Sequence, residues 1–267
     1  MIRSLPNLYS FLGLTKEQTN TLLNNIDQYY SRKRKPKMKY GSPQLDHGEI
    51  KYRDLIVPEY LLKSRQQRIA QLLNKISLPD YVFGSVKDKS NIKNALEHLN
   101  HKYFLTIDLK DFFTNINNKQ VFKMLIENNF SADVSSVLTK STTYKYSLPQ
   151  GAPSSPVIAN LVFLDTARKL KSIAERNDLI FTTFLDDLSF SGNHNFKQIV
   201  PDILQLLKTN GFFPSHKKIH FRKNYCEVTG LFVNGDKLDL PYKMANKAKT
   251  NIKLQAYQQY INQCHSV

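Results

Sequence analysis

The stretch Phe181-Thr-Thr-Phe-Leu-Asp-Asp-Leu-Ser-Phe-Ser-Gly192 limits the possible folds more than any other part of this chain. β-Branched and aromatic residues on both sides of Asp186-Asp187 read as two short strands, and Asp-Asp suits the tight turn between them. Neighbouring side chains on a regular strand point to opposite faces. A hairpin tip is therefore where two adjacent carboxylates approach one divalent ion, or where one ligates while the other orients. The competing reading is an ordinary Asp-rich turn, since Asp favours turns for purely local reasons. The rest of the chain has to decide between them.

Charge narrows the partner. The 267 residues are 41% hydrophobic, enough to bury a core as one catalytic unit with subdomains. Lys and Arg number 38 against 22 Asp and Glu, a net +16, which calls for a polyanion: nucleic acid first, an anionic membrane second. No apolar run approaches the ~20 residues of a spanning helix, and the start Met-Ile-Arg-Ser-Leu-Pro-Asn lacks a secretory layout, so a cytoplasmic protein without a membrane partner is expected. Cys226 and Cys264 form neither a metal-ligand spacing nor a disulfide framework.

Along the chain, residues 1–30 read as helical, with Thr15 and Gln18 spaced as a capping box. Ser31 to Lys39 holds six basic residues in nine, either a phosphate-tracking segment or a solvated charge run. Tyr40 to Glu49, with Gly41, Pro43 and Gly48, reads as loop or hairpin tip. Ile50 to Pro58 alternates as a strand and puts Lys51 and Arg53 on one face, a pair suited to a triphosphate. Glu59 to Ile76 is a basic amphipathic helix with Arg65 and Arg68 outside. Ser90 caps a short helix through Asn91, Asn94, Ala95 and His98. His98 and His101 sit three apart without a third ligand nearby, which favours satisfied polar roles over a metal.

Lys102 to Phe113 reads as an apolar strand with Asp108 near its end, where an acid needs a cation or metal. Asp111 just beyond it either joins that site or caps the helix that begins near Asn117. In Leu148-Pro-Gln-Gly-Ala-Pro-Ser-Ser-Pro156, Gly151 permits close backbone approach, Ser154 or Ser155 caps, and Pro156 suits a first helical turn. Such a loop–helix junction offers free NH groups to a nucleotide or template strand. Asn234-Gly235 signals a hairpin turn, and one basic helix, about Tyr242 to Ile261, closes the chain.

In this order, these stretches resemble reverse transcriptases. Phe104-Leu-Thr-Ile-Asp108-Leu-Lys-Asp-Phe-Phe113 is similar to the first catalytic motif, Leu148 to Pro156 to the second, and Phe184-Leu-Asp-Asp187 to the catalytic hairpin. Asn94-Ala-Leu-Glu-His98 and Val228-Thr-Gly230 are similar to the Asn-Ala-x-x-His and Val-Thr-Gly signatures of bacterial retron-type enzymes. The resemblance implies an α+β right-hand polymerase whose antiparallel palm sheet packs on helices. The implied boundaries are an N-terminal helical and basic extension to about 40, fingers at about 41–102 and 117–160, palm at about 103–116 and 161–240, and a vestigial thumb helix at about 241–267.

It also implies roles. Asp108, Asp186, Asp187 and the Leu109 carbonyl would hold two Mg²⁺, with Mn²⁺ as a substitute. Lys218 would be the proton donor, with Lys217 beside it as the alternative. Arg53, Lys51, Asp111, Phe112, Phe113, Gln150 and Gly151 would bind the incoming deoxynucleoside triphosphate, Phe113 excluding a 2′-hydroxyl. Asn94, His98, Ser155, Pro156, Leu185, Val228, Thr229 and Gly230 would contact RNA or primer. The implied partners are a structured noncoding RNA, its short DNA product and an effector protein in anti-phage defence. The alternatives are a defence-associated reverse transcriptase outside retrons, with untemplated or protein-primed synthesis, and a catalytically silent RNA-binding scaffold. Two departures stand out: Leu185 occupies the place where the family usually has Ala, and only about one helix follows Leu240 where a helical thumb is usual.

Overall fold

The computed structural model describes residues 1–39 and 42–264; Tyr40 and Gly41, part of the expected hairpin tip, and the tail from 265 lie outside the described residues. In chain order the elements are α1 (Leu5–Leu12), α2 (Lys16–Asn24), β1 (Tyr30–Pro36), β2 (Met38–Lys39), β3 (Ser42–Pro43), β4 (Leu45–Asp46), β5 (Glu49–Ile50), β6 (Tyr52–Pro58), α3 (Tyr60–Leu73), α4 (Asn91–Leu96), β7 (Tyr103–Leu109), α5 (Asn118–Glu127), α6 (Ala132–Thr142) and α7 (Ser155–Arg176). They continue with β8 (Ile180–Phe184), β9 (Asp187–Gly192), α8 (Val200–Thr209), β10 (Pro214–Lys223), β11 (Tyr225–Val228), β12 (Leu231–Asn234), β13 (Lys237–Asp239), α9 (Tyr242–Ala248) and α10 (Ile252–Cys264). No helix among the described residues is long and apolar enough to cross a membrane.

The first compact unit comprises Met1–Lys37, Ile50–Leu78 and Asp111–Leu164. Capping boxes start two of its helices, α2 and α5. Thr15 accepts from the Gln18 amide at 3.1 Å while the Gln18 side chain accepts from the Thr15 amide at 2.9 Å, and Asn117 and Gln120 do the same for α5. Asn117, not Asp111, is therefore the cap. The basic run folds as β1, paired antiparallel with β6, so that Lys35 faces Arg53 and Arg34 faces Asp54 across the ribbon. Gln66 on α3, fully buried, donates to the Tyr30 hydroxyl at 2.7 Å and the Ser141 carbonyl at 2.9 Å, tying the ribbon to α3 and α6. Arg68, expected in solvent, donates to the Phe11 carbonyl at 3.0 Å and Arg65 to that of Gly13 at 3.5 Å. Both satisfy carbonyls that the end of α1 leaves free.

The second unit comprises Met38–Glu49, Pro79–Lys110 and Asp165–Val267. Its centre is an antiparallel sheet in the order β10-β7-β9-β8. Register separates the sheet's two faces. Leu105, Ile107, Leu188, Phe190 and Phe181 share one buried apolar face, while Thr106, Asp108, Asp187, Ser189 and Thr182 share the other. The expected fingers segment 41–102 is thus divided. Residues 79–102 fold with the strands of the second unit because Tyr81 and Phe83 hydrogen-bond to Thr183 of β8, and α4 packs on β8, β11 and β12.

Val228↔Leu231 closes a two-residue turn of Thr229 (φ 45) and Gly230 (φ 84), two left-handed residues as a tight hairpin requires. The next turn is Gly235-Asp236, one residue later than Asn234-Gly235, since Asn234 itself pairs with Lys237. Beyond Leu240 the described residues form two helices, not one, and Ala248 and Ile261 from them enter a core with Ile92, Phe104, Val228 and Leu231.

Candidate active site

The carboxylates meet by strand register as much as by a turn. Phe184 pairs with Asp187, leaving Leu185-Asp186 as the two-residue turn, and Asp187 opens β9 directly opposite Asp108 on β7. The expectation that Asp-Asp forms the tip is corrected: Asp186 sits in the turn, and Asp187 shares a sheet face with Asp108 because opposed residues of antiparallel strands point the same way. The Leu109 amide donates to the Asp186 carbonyl at 2.8 Å, fixing the turn on the strand that carries Asp108.

β10 supplies the counter-charge. Its register with β7 slips between Pro214 and Ile219, and this irregularity places Lys218 Nζ 2.5 Å from Asp108 Oδ2. Bulges of this kind re-aim side chains beside functional sites. Lys218, not Lys217, carries the contact. Asp186 is raised above the usual carboxylate range by burial, with the Asp108 charge adding to it. Asp187 is pushed up to about 7, first by burial and then by Asp186 and Asp108. Asp186 and Asp187, both raised with the Asp108 charge adding to the shift, make with Asp108 a set of hard oxygen donors that a divalent cation would relieve. Among the described residues no three ligating side chains already stand close enough to enclose one ion. Mg²⁺ is commonly held by one or two carboxylates with non-protein oxygens completing its shell, so the donor set fits such an ion without a closed cage.

Within the first unit, the Gln150–Gly151 loop packs on β6, the strand that carries Arg53. Lys33, Lys35, Arg53, Leu55 and Val57 share one face of the β1–β6 ribbon. The Ile56 amide donates to the Gln150 carbonyl at 2.9 Å. A Cβ at Gly151 (φ 123) would stand 3.1 Å from the Ile56 carbonyl oxygen, 3.3 Å from Leu55 Cβ and 3.4 Å from Val57 Cγ2, so glycine is required both for its φ and for the approach. Lys51 is exposed just before β6, and its carbonyl accepts from Lys37 at 2.7 Å. Lys35, cross-strand from Arg53, is a residue that sequence reasoning missed. Its signal was hidden in a run of six basic residues and became legible only through register. Phe113, half-buried, lies 5.6 Å from Phe112 between ring centroids, and Phe112 meets Phe163 edge-on at 5.7 Å. Asp111 is exposed with φ 50.

Several residues expected at an RNA or primer surface are enclosed instead. His98 is fully buried and bridges two strands, Nδ1 to Ser191 Oγ at 2.6 Å and Nε2 to Thr182 Oγ1 at 2.7 Å. Asn94, also buried, donates to Thr229 Oγ1 at 3.3 Å, and Asn91 donates to the Thr229 carbonyl at 3.2 Å. The two signature motifs are therefore one joint inside this unit. Ser155 is buried and donates to the Pro149 carbonyl at 2.7 Å, locking the Gln-Gly loop. Val228 is core. For Asn94, His98, Ser155 and Val228, direct RNA contact is corrected to support of the fold. Thr229, Gly230, Pro156 and Leu185 keep partial exposure.

Burial holds His98 far below its ordinary value, down to about 3. The folded state then binds fewer protons than the unfolded one between about pH 3 and 6.5, and stability falls as pH drops through that window by up to ~1.4 kcal/mol per unit. Asp186 and Asp187 act in the opposite direction, so the test is differential. His98→Gln is expected to show a flatter loss of Tm between pH 6.5 and 4.5 than wild type, at the cost of about 1–3 kcal/mol of stability at pH 7.5 from disrupted hydroxyl partners. Equal slopes would contradict a buried neutral imidazole.

Comparison with known proteins agrees with this geometry. The family described as reverse transcriptase (RNA-dependent DNA polymerase) matches residues 34–233. The chain is 32% identical over 198 residues to the retron Ec86 reverse transcriptase of Escherichia coli, covering 72% of this chain and 62% of that one. It is 28% identical over 197 residues to the retron Se72 reverse transcriptase of Salmonella heidelberg (strain 579083-10), covering 72% and 49%. The match thus spans only part of the length of these relatives. Among solved structures, telomerase from Candida albicans with a TWJ fragment of telomeric RNA has a TM-score of 0.53 at 14% identity, covering 82% of this chain and 50% of that one. Apo telomerase from Candida tropicalis has a TM-score of 0.51 at 16% identity, covering 83% and 52%. The telomerases share the fold, the family match runs through the strands that carry Asp108, Asp186 and Asp187, and the chain belongs to the reverse transcriptases, the RNA-dependent DNA polymerase family, with retron enzymes among its relatives.

Proposed function

We propose that this protein is an RNA-directed DNA polymerase of retron type that copies part of a cognate structured noncoding RNA into a short DNA, in anti-phage defence with an effector protein. The observation that carries the reading is the placement of Asp108, Asp186 and Asp187 at one end of an antiparallel sheet, with Lys218 on Asp108, in a chain of this family. Two Mg²⁺, or Mn²⁺ in their place, would supply activation of the primer 3′-hydroxyl and charge neutralisation on the leaving pyrophosphate. Asp108 and Asp186 would hold the ions with the Leu109 carbonyl, and Asp187 would ligate or orient. Lys218, already held at Asp108, donates a proton to the departing pyrophosphate. Gln150 and Gly151 contact nucleotide and template.

Arg53 and Lys35 take the triphosphate as cations on one ribbon face. Arg53→Ala and Lys35→Ala are each expected to raise KM for deoxynucleotides about tenfold with kcat within threefold; a fall in kcat at unchanged KM would contradict triphosphate binding. The exposed Arg32 and Arg34, the Thr229-Gly230 turn and the lysines of α9 and α10 hold RNA through phosphates and 2′-hydroxyls.

The test is purification from the native locus with its flanking RNA, followed by nuclease-resolved sequencing of what is bound. A short DNA joined to RNA, absent from Asp186→Asn, supports the retron reading. DNA without a matching RNA template points to a defence enzyme outside retrons. Identical RNA and no DNA from both proteins points to a silent scaffold.

A further inference from the structure

The catalytic hairpin turns on a residue in a conformation that leucine rarely adopts. Leu185 has φ 57, a left-handed value that brings Cβ against its own backbone. Something outside the turn has to hold it there. The segment Tyr81–Ser85 is placed to do so. Thr183 of β8 donates to the Tyr81 carbonyl at 2.9 Å, and Phe83 donates back to the Thr183 carbonyl at 2.8 Å, with Val82 and Thr183 bridged in parallel. This segment runs beside β8 and delivers Gly84, a buried residue, to the hairpin tip.

The approach leaves no room for a side chain. A Cβ on Gly84 would stand 2.5 Å from the Leu185 amide nitrogen, 2.8 Å from Leu185 Cγ and 2.8 Å from the Phe184 carbonyl carbon. Two of those three atoms are backbone of the turn, so no rotamer change relieves the contact; the turn itself would have to move. Gly84 has no left-handed φ of its own. Glycine is therefore needed here for what it touches rather than for how its own chain bends.

We propose that Gly84 is a positioning residue for the metal-binding carboxylates. Its bare backbone is the shelf on which the Leu185-Asp186 turn is seated, and Leu185 packs its side chain back onto that shelf. This explains how the hairpin accommodates a residue bulkier than Ala. Because Asp186 is bonded through its carbonyl to Leu109 and Asp187 is paired with Asp108, displacing the turn changes the separation of the carboxylates. Misplacement of reacting groups by ~1 Å can cost about 10²-fold in rate.

This inference rests on the polymerase reading above, and its test separates the two. Gly84→Ala is compared with Gly192→Ala at the far end of β9, where a Cβ would also meet an atom at 2.5 Å, but the flexible end of Leu179. Primer extension and the rise of Tm on adding Mg²⁺ to template-free protein are both measured. Gly84→Ala is expected to lose about 10²-fold in kcat and most of the Mg²⁺-induced Tm rise, while Gly192→Ala keeps both near wild type despite a similar steric insertion. Leu185→Gly, which relieves the left-handed strain and folds readily, is expected to keep its Tm and lose about tenfold in kcat as the turn loosens off its shelf. Full kcat and Mg²⁺ response in Gly84→Ala, equal losses in both alanine variants, or full kcat in Leu185→Gly would overturn the proposal. Wild-type protein that extends no primer yet keeps the Mg²⁺ contrast among variants would instead overturn the polymerase reading alone.

Discussion

Asp186→Asn and Asp187→Asn are each expected to lower DNA synthesis by about 10³-fold or more, the several kcal/mol that a correctly held metal would supply to phosphoryl transfer, and neither is expected to unfold the protein. The second half of that result follows from electrostatics. Burial and the neighbouring acids push Asp187 up to about 7 in the folded chain, above its unfolded value. The folded state thus binds more protons than the unfolded one between about pH 4 and 7, so metal-free protein gains stability as pH falls through 7 and is penalised above it. Removing the charge removes the penalty, on the order of 2 kcal/mol for a partly solvated, coupled group. Metal-free Asp187→Asn should therefore melt several degrees above wild type at pH 8 and near it at pH 5, with Mg²⁺ closing the gap at pH 8 by stabilising wild type alone. A variant that is less stable than wild type at pH 8 without metal would show that Asp187 has a structural partner outweighing the repulsion.

Phe113→Val is expected to relax sugar selection, with the preference for deoxynucleotides over ribonucleotides falling about 10²-fold while deoxynucleotide kcat stays within tenfold. The ring can act as a rigid wall because it is braced: Phe113 packs on Phe112 and Phe112 edge-on against Phe163 of α7. Phe112→Leu, which loosens the brace without opening the wall, should give a smaller loss of selection. The measurement is incorporation opposite a fixed template base with each nucleotide type in competition. Unchanged selection in Phe113→Val would remove Phe113 from the sugar site.

Local chemistry was legible in the sequence wherever a residue acts on its own neighbourhood. The Thr15–Gln18 capping box, the strand that carries Asp108 and the Gln150-Gly151 loop opening α7 are local matters of this kind. Register was not legible. Whether Asp187 lies in the turn or opposite Asp108, and whether Lys35 or Lys51 stands across from Arg53, depends on which residues pair over long separations, and one residue of slip inverts every face. Burial was misjudged where a polar side chain has a distant polar partner. His98 and Asn94 look like surface residues until Thr182, Ser191 and Thr229 are folded against them. Gly84 escaped notice for the same reason: Phe83-Gly84-Ser85 reads as a plain turn, and its purpose lies in a hairpin a hundred residues later.

The central claim is that Asp108, Asp186 and Asp187 make a polymerase site. Extension of a primer annealed to an RNA template, with Mg²⁺ and deoxynucleotides, tests it most directly when wild type and Asp186→Asn are run side by side with folding verified by Tm. Template-complementary DNA is expected from wild type, none with chelator, and at least about 10³-fold less from the variant. Extension by Asp186→Asn at the wild-type rate, or none by folded wild type at any Mg²⁺ or Mn²⁺ concentration, would contradict it.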